Sequence, residues 1–223
     1  MKPFVNGWFQ VQDEAAQLVS LLLNPKPDEL VLDLCSGLGG KTGHISQMMD
    51  NKGKVVALDI DKKKLDRLES EMDRLGIKNV QSMDFDMTNQ LDKKLFGEFD
   101  RILLDAPCTG LGVLQRNPDS KWNIKKQNFM HFQKKQVKLL KNAALLLKPL
   151  GIIVYAVCSM EPEENEDVIK NFLNNNPDFT IDKYSGQLDG KVALLMDKNG
   201  FFRTIPHKHH MDGFFAVRMR KIR

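Results

Sequence analysis

Two cysteines stand at the ends of two predicted strands, where the side chains of an α/β protein commonly meet a ligand. The segment DAPC ends one apolar run at Cys108, and the segment YAVCS ends another at Cys158. Adjacent parallel strands open into one crevice at their carboxyl ends, so we expect both thiols and the Asp105 carboxylate to face one pocket. Burial as a small apolar residue is the alternative for any single cysteine, and Cys35 fits it.

Two thiols and a carboxylate in one pocket have a specific use in covalent catalysis. Carbon 5 of cytosine is a poor nucleophile, but a thiolate added to carbon 6 makes it reactive toward a sulfonium methyl group. Asp105 would protonate or hydrogen-bond nitrogen 3 of the ring, and the second thiol would remove the carbon-5 proton or assist its removal. The attacking thiol must be ionised, and Lys41 is our candidate for the cation that favours the thiolate, the alternative being a lysine that stays in solvent.

A glycine-rich turn, DLCSGLGGKTGH, follows the first predicted strand and opens a helix, where backbone amides can face a ligand. It is no P-loop, because Cys35 stands where that motif needs its first glycine. It is no dinucleotide fingerprint either, because Thr42 replaces the last glycine. What remains is a tight turn through Gly37, Gly39 and Gly40, whose alternative interpretation is a connection without a ligand.

Two acidic residues follow the next strands and narrow the choice of ligand. Asp59 ends the second predicted strand, where an acid suits both hydroxyls of a ribose. Asp86, or alternatively Asp84, lies past the third strand and could hold an adenine amino group. Together with the glycine turn, these acids predict an adenosine ligand without a pyrophosphate, which indicates S-adenosylmethionine.

The elements that must position these residues alternate between two hydrophobic periods. Strands are predicted at Leu30–Cys35, Lys54–Asp59, Asn79–Met83, Phe99–Asp105 and Gly151–Cys158. Helices are predicted at Asp13–Leu23, Lys41–Met49, 62–75, 127–147 and after Pro162. This alternation predicts an α/β fold with a parallel sheet and helices on both faces. Runs near 179–183, 192–196, 201–204 and 214–219 are predicted to be short strands that add an antiparallel edge.

Composition favours one ordinary globular domain over residues 1–223. Hydrophobic residues make up 42% and charged residues 28% of the 223 positions. Three cysteines are too few for a disulfide framework and favour a reducing compartment. No apolar run approaches the ~18 residues of a membrane span, and the first residues lack the apolar core of a signal peptide. We therefore expect a cytoplasmic protein that does not bind a membrane.

Positive charge is concentrated in one segment. Residues 121–148 contain eight lysines and no Asp or Glu, and Lys134, Lys138 and Lys141 share one predicted helix face, here called the basic ridge. Such a ridge can neutralise RNA phosphates, although a solvated helix face is the alternative. Arg116 and Trp122 are candidates for holding a displaced nucleotide. The histidines near residue 209 have no cysteine or carboxylate cluster beside them, so no metal is expected.

Over nearly its whole length the chain resembles the RNA cytosine-C5 methyltransferases of the NOL/NOP/Sun family, and within it the RsmB (Sun) type that modifies 16S rRNA. The segments that carry the resemblance are GWFQVQDEAAQLV, DLCSGLGGKTGH, ALDID, LLDAPCTGLGV, RNPDSKW, YAVCSMEPEENE and P..HKHHMDGFF. The combination of DAPC with a second CS…PEEN segment at this spacing is highly specific.

The resemblance implies roles for the residues already singled out. Cys158 would be the nucleophile and Cys108 the cysteine that aids product release. The residues implied to contact S-adenosylmethionine are Cys35, Ser36, Gly37, Leu38, Gly39, Gly40, Lys41, Asp59, Asp86 and Asp105. The implied fold is a Rossmann-like class I methyltransferase with a mostly parallel seven-stranded sheet, an antiparallel C-terminal strand and an N-terminal segment and helix at 1–28. The implied partner of this monomer is structured RNA, rRNA ahead of tRNA.

Two substitutions depart from the family pattern. Gly37-Leu38 stands where the family has Ala-Pro, which we expect to weaken cofactor binding, and Val157 replaces a threonine before the nucleophile. RsmB-type enzymes also carry an N-terminal RNA-binding domain, so either this sequence is part of a longer protein or RNA docking relies on the core or a partner. The competing hypotheses are a tRNA cytosine-C5 methyltransferase, a base amino-methyltransferase, and an RNA-binding ribosome-assembly factor with a vestigial site.

Overall fold

The computed structural model describes residues 1–89, 96–183 and 190–223 of the chain. Its centre is a sheet of eight strands, one more than the seven expected. These strands are β1 Leu30–Leu34, β2 Lys54–Asp59, β3 Val80–Asp84, β4 Phe99–Asp105, β5 Leu147–Val157, β6 Phe179–Ile181, β7 Phe201–Thr204 and β8 Phe214–Lys221.

The strands run in the order β3-β2-β1-β4-β5-β8-β6, and β7 also pairs with β8. The first five are parallel, whereas β8 is antiparallel to β5, β6 and β7. β6 pairs with the end of β8 near Lys221, and β7 pairs with its beginning near Phe214, so both short strands fit beside one long strand. The Rossmann-like sheet with an antiparallel C-terminal part is thereby confirmed.

Helices surround this sheet. They are α1 Lys2–Val5, α2 Glu14–Leu23, α3 Gly40–Met48, α4 Lys62–Leu75, α5 Ser120–Asn123, α6 Lys126–Leu145, α7 Glu166–Asn175, α8 Gly190–Leu194 and α9 Pro206–His209, with a 3-10 turn at Leu111–Val113. Carboxylates cap the beginnings of two of them: Asp13 accepts from the amide of Ala15, and Asp61 from that of Lys63. Among the described residues, no helix is both long and apolar enough to cross a membrane.

Two of the predicted elements differ from the structure. The predicted strand at 192–196 was wrong, because residues up to Leu194 form α8 and only Met196 makes an isolated bridge, to Phe202. Val192 is fully buried from α8, so a helical turn satisfies the same apolar run. β5 begins at Leu147, earlier than predicted, because Leu147 pairs with Phe99 before the register shifts within β4.

Side chains alternate between the two faces of the sheet and form two large cores, with a third, smaller cluster around α4. One core contains Leu32, Leu104 and Tyr155 and is covered by α6 and α7. The other contains Val31, Leu103 and Val154 and is covered by α2 and α3. Cys108 packs against the first core and Cys158 against the second. The two cysteines therefore approach each other from opposite sides of the sheet.

Candidate active site

A cleft of about 330 Å³ opens at the carboxyl ends of β1, β2, β4 and β5. Its size lies within the range of about 300–1,000 Å³ that is typical of small-molecule sites. The residues that line it are Cys35, Gly37, Asp59, Ile60, Lys64, Asp86, Met87, Thr88, Asp105, Ala106, Pro107, Cys108, Lys135, Leu139 and Cys158. Both predicted reactive cysteines and three predicted acids thus share one cavity.

The turn after β1 reaches the cleft through left-handed backbone geometry. Cys35, Gly37 and Gly39 have φ angles of 60°, 58° and 83°. Gly39 caps the beginning of α3, and a Cβ atom there would lie 2.6 Å from Cγ of Leu68, so only glycine fits. The chain therefore bends sharply enough to present the Gly37 backbone to a ligand.

Part of the predicted cofactor set lines the cleft, and part does not. The lining members are Cys35, Gly37, Asp59, Asp86 and Asp105. The predicted residues that are not among the described lining residues are Ser36, Leu38, Gly39, Gly40 and Lys41. These five complete the turn and the first turn of α3, so they shape the loop that the lining residues belong to.

The two acids assigned to the nucleoside lie at the ends of β2 and β3. Asp59 accepts hydrogen bonds from the amides of Gly37, at 2.9 Å, and Asp61, at 2.9 Å. Asp86 accepts from the hydroxyl and the amide of Thr88, and these bonds lower the pKa of its carboxyl group, the hydroxyl bond most. Asp86 lines the cleft, whereas Asp84 ends β3 at an exposed position. Both lining acids can accept hydrogen bonds from ribose hydroxyls or an amino group.

Lys41 and Asp105 form an ion pair beside the thiols. The Nζ atom of Lys41 lies 2.8 Å from Oδ2 of Asp105 and 5.1 Å from the centre of the Phe214 ring. Burial is the largest influence on the pKa of Lys41 and lowers it, but the charge and hydrogen bond of Asp105, with the charges of Asp33 and Cys158, outweigh burial and raise it. Lys41 therefore remains a cation at neutral pH.

The two sulfur atoms meet in the cleft. Sγ of Cys108 lies 3.2 Å from Sγ of Cys158, and neither cysteine is in a disulfide. The pKa of Cys108 is raised well above its ordinary value, first by the hydrogen bond with Cys158 and then by burial and the charges of Cys158 and Glu164. Burial likewise raises the pKa of Cys35, which keeps that thiol unreactive.

Asp33, Lys64 and Lys135 are charged residues in or beside the cleft that were not predicted from the sequence. Asp33, one residue before the end of β1, is buried, and its Oδ2 atom accepts a 2.6 Å hydrogen bond from the Thr42 hydroxyl. Burial is the main cause that raises the pKa of Asp33 to about 7; the charges of Asp105 and Asp59 raise it further, whereas the Thr42 hydrogen bond and the Lys41 charge lower it. Lys64 and Lys135 line the cleft. Lys135 lies one helical turn before Leu139 in α6, and both residues line the cavity. Helical spacing was therefore the signal that could have identified Lys135.

The predicted RNA-binding residues lie outside this cleft. All three lysines of the basic ridge are exposed on α6. Trp122 is 77% exposed, and the Nζ atom of Lys121 lies 4.6 Å from its ring. Arg116 forms ion pairs with Asp13 and Asp212 and so joins the N-terminal segment to the loop before β8. These positions leave the assignment of Arg116 and Trp122 to RNA as a prediction.

The two departures from the family pattern also have structural positions. Leu38 is 54% exposed on the outside of the glycine turn. Val157 is fully buried in the core beneath α6 and α7, which gives it a packing role. Among the described residues, no group of three or more His, Cys, Asp or Glu side chains is arranged to hold a metal ion.

Known proteins share sequence with the chain over almost its whole length. Residues 20–220 match the family 16S rRNA methyltransferase RsmB/F. The chain is 39% identical over 219 residues to the probable ribosomal RNA small subunit methyltransferase B of Bacillus subtilis strain 168. This alignment covers 98% of the chain and 49% of that protein. The chain thus spans about half the length of the curated relatives it matches.

Two solved structures share both fold and sequence with the chain. NSun6 from Pyrococcus horikoshii, crystallised with SFG, is 31% identical with a TM-score of 0.86, over 100% of this chain and 56% of that one. A methyltransferase homologue from Pyrococcus horikoshii is 32% identical with a TM-score of 0.82, over 99% and 70% of the two chains.

Proposed function

Because the chain belongs to the 16S rRNA methyltransferase RsmB/F family, we propose that it transfers a methyl group from S-adenosylmethionine to carbon 5 of a cytosine in structured RNA, with rRNA as the substrate class. The observation that carries the proposal is the 3.2 Å contact between the sulfurs of Cys108 and Cys158 in a cleft with three acids. Methylation of an amino group needs no thiol nucleophile, so this contact favours carbon methylation.

The cleft fits S-adenosylmethionine by the chemistry of its lining residues. Asp59 would accept from the ribose hydroxyls and Asp86 from the adenine amino group, while the Gly37 backbone allows close approach. NSun6 was crystallised with SFG, an analogue of S-adenosylmethionine, which supports the same ligand here. When bound, this cofactor supplies an electrophilic methyl group on a sulfonium.

Cys158 is the proposed nucleophile. Its sulfur forms a bond to carbon 6 of the cytosine, and the electron pair of the carbon 5–carbon 6 double bond becomes available at carbon 5. Asp105 would pass a proton from the Lys41 ammonium to nitrogen 3, which can only accept, and the pair would balance the charge that develops on the ring. Carbon 5 would take the methyl group, whose former bonding pair stays on the donor sulfur, and would then carry both its original hydrogen and the new methyl group.

Cys108 is the proposed base for the last step, and the sulfur contact sets its timing. Before reaction, the hydrogen bond to Cys158 and the charge of Cys158 keep the proton on Cys108. Both influences end when Cys158 forms its bond to carbon 6, so the pKa of Cys108 falls and its proton can pass to water. The Cys108 thiolate then takes the carbon-5 proton, the ring double bond re-forms, and the Cys158 thiolate leaves.

The proposal is tested by trapping the covalent intermediate. Cys108→Ala should accumulate an RNA–protein adduct that survives denaturing electrophoresis, and the double variant Cys108→Ala/Cys158→Ser should form none. Cys158→Ser alone should abolish 5-methylcytosine, measured by bisulfite sequencing of the RNA. Transcripts of 16S rRNA and of tRNA, offered separately, decide between the two substrate classes. If the protein binds RNA but forms no adduct and does not bind S-adenosylmethionine, the result would instead support an assembly factor.

A further inference from the structure

One buried carboxylate joins the two loops that carry the reactive cysteines. Glu164 has no exposed surface. Its Oε1 atom accepts from the Thr109 amide at 3.0 Å and from Nε2 of Gln136 at 3.0 Å. Its Oε2 atom accepts from the hydroxyls of Thr109 and Ser159, each at 2.5 Å. A carboxylate offers about four acceptor sites, so these four donors use its whole capacity.

The donors of Glu164 adjoin the reacting groups. Thr109 follows Cys108, and Ser159 follows Cys158, so the carboxylate binds the immediate neighbour of each thiol. Gln136 of α6 also donates to the carbonyl of Pro107, on the other side of Cys108. Both cysteine loops are therefore fastened to one buried group.

Two further hydrogen bonds fix the chain segment that carries Glu164. Its backbone carbonyl accepts a 2.6 Å hydrogen bond from the buried hydroxyl of Tyr155 on β5. The neighbouring Asn165 donates from Nδ2 to the carbonyl of Ser159 at 3.2 Å. The first bond fastens the Glu164 backbone to β5, and the second fastens the adjoining residue to the segment that follows Cys158.

We infer that Glu164 is a positioning residue for the two-thiol centre, fixing the Cys108 loop against the Cys158 loop so that the two sulfurs stay within reach of one pyrimidine. The effect of Glu164 on catalysis rests on the proposed function. Its effect on the distance between the two sulfurs does not. Glu164 acts through Thr109 and Ser159 and does not touch the substrate in this assignment.

The chemistry of the four donors separates two conservative variants. In Glu164→Gln, the amide oxygen can accept from the Thr109 amide and Gln136, while the amide nitrogen donates to the two hydroxyls, which can turn round and accept. In Glu164→Ala, the buried donors lose their partner and the loops lose their connection. The glutamine variant should therefore keep the geometry and lose only the negative charge.

That charge has its own measurable effect. Glu164 is one of the groups that raise the pKa of Cys108, after Cys158 and burial. Removing the charge in Glu164→Gln should lower the pKa of Cys108, so its alkylation by iodoacetamide, followed by peptide mass spectrometry, should begin at lower pH than in the wild type. A group with only a packing role would leave this profile unchanged.

The geometric test measures how readily the sulfurs couple. Diamide takes up two electrons and two protons while Cys108 and Cys158 lose their thiol hydrogens and form one S–S bond. We expect Glu164→Ala to slow this coupling about tenfold or more and to lower kcat about tenfold to hundredfold with little change in KM, because a misplacement of about 1 Å costs about that much. Glu164→Gln should couple at no less than about half the wild-type rate, since its hydrogen bonds can be re-formed and its lower Cys108 pKa favours the reactive thiolate.

The controls use the neighbouring acid and a milder disruption. Glu163→Ala and Glu163→Gln make the same changes one residue earlier in the loop and should leave coupling at the wild-type rate. If Glu164→Ala fails to fold by circular dichroism, Thr109→Val/Ser159→Ala removes both hydroxyl donors and retains the carboxylate, and it should also slow coupling.

The two proposals fail in different ways. Wild-type coupling in every folded Glu164 variant, and in Thr109→Val/Ser159→Ala, would overturn the positioning role. Slow coupling in Glu164→Ala together with no RNA adduct from Cys108→Ala would uphold the positioning role and overturn the methyltransferase mechanism. Slow coupling together with lost turnover, both restored by glutamine, supports the two proposals jointly.

Discussion

The buried acid Asp33 gives a quantitative prediction about stability and pH. The residue is 1% exposed, one carboxylate oxygen accepts from Thr42, and the other has no hydrogen-bond partner. Burial, the largest influence, raises its pKa from 3.8 to about 7. The folded protein therefore holds this proton more tightly than the unfolded chain does, and ionising Asp33 costs folding free energy.

The sign and size follow from proton linkage. A raised carboxyl pKa contributes its stability fully below pH about 4, and that contribution is lost as pH rises toward about 7. At about 1.4 kcal/mol per pH unit, the difference between 3.8 and about 7 amounts to about 4 kcal/mol. Asp33→Asn cannot ionise, so its free energy of unfolding relative to the wild type should rise by about 4 kcal/mol between pH 4 and pH 8.

The assay is urea unfolding at a series of pH values, with wild type, Asp33→Asn and the exposed control Asp73→Asn measured side by side. Circular dichroism is the suitable signal, because both tryptophans, Trp8 and Trp122, are about three-quarters exposed and report little on the core. A difference between Asp33→Asn and wild type that stays constant from pH 4 to pH 8 would refute the reasoning. It would mean that Asp33 is not buried as an ionisable group.

Three further predictions concern the turn, the ion pair and the basic ridge. Gly39→Ala should lower the free energy of unfolding by about 2–4 kcal/mol, measured in urea, because it combines a left-handed backbone with a clash against Leu68. Lys41→Met should lower kcat about hundredfold without changing RNA affinity, because Asp105 loses its cation and the ring loses charge stabilisation. Replacing all three basic-ridge lysines by glutamine should reduce the salt dependence of RNA binding by about 2 in log–log slope, at about 0.7 for each phosphate contact.

Each of these has a matched comparison. Gly76→Ala shares the left-handed backbone but meets open space, so an equal loss in Gly76→Ala and Gly39→Ala would rule out the clash. Full activity of Lys41→Met would remove the ion pair from the mechanism. The exposed lysines 26, 52 and 54 serve as a second triple variant, and an equal change in slope from both triples would show that the ridge has no special role.

Much of the fold was predictable because its signals are local. The helix predicted at 62–75 coincides with α4, since apolar residues recur at helical spacing and Gly76 ends the helix in the left-handed region. In the sequence the five parallel strands are apolar runs, because both faces of the sheet are buried. The short run at 192–196 carried no such period, and packing of Val192 decided it in favour of a helix.

The candidate site was predictable where residue type and strand position agree, as for Cys108, Cys158 and Asp59. Glu164 could not be singled out, because it stands in an acidic run in which Glu161 and Glu163 look equivalent. Only the backbone turn after β5 decides which of the three carboxylates points inward. Asp33 was missed for a similar reason, since an acid inside a hydrophobic strand has no sequence partner to explain it.

The approach of the two sulfurs from opposite sides of the sheet makes their spacing sensitive to packing in both cores. Each thiol packs against a different hydrophobic layer, so the distance between the two sulfurs depends on how each layer packs against the shared strands. A volume change deep in one layer can displace a single sulfur, and a compensating change in the other can restore the spacing. Substitutions in the two layers should consequently have non-additive effects on the spacing of the sulfurs.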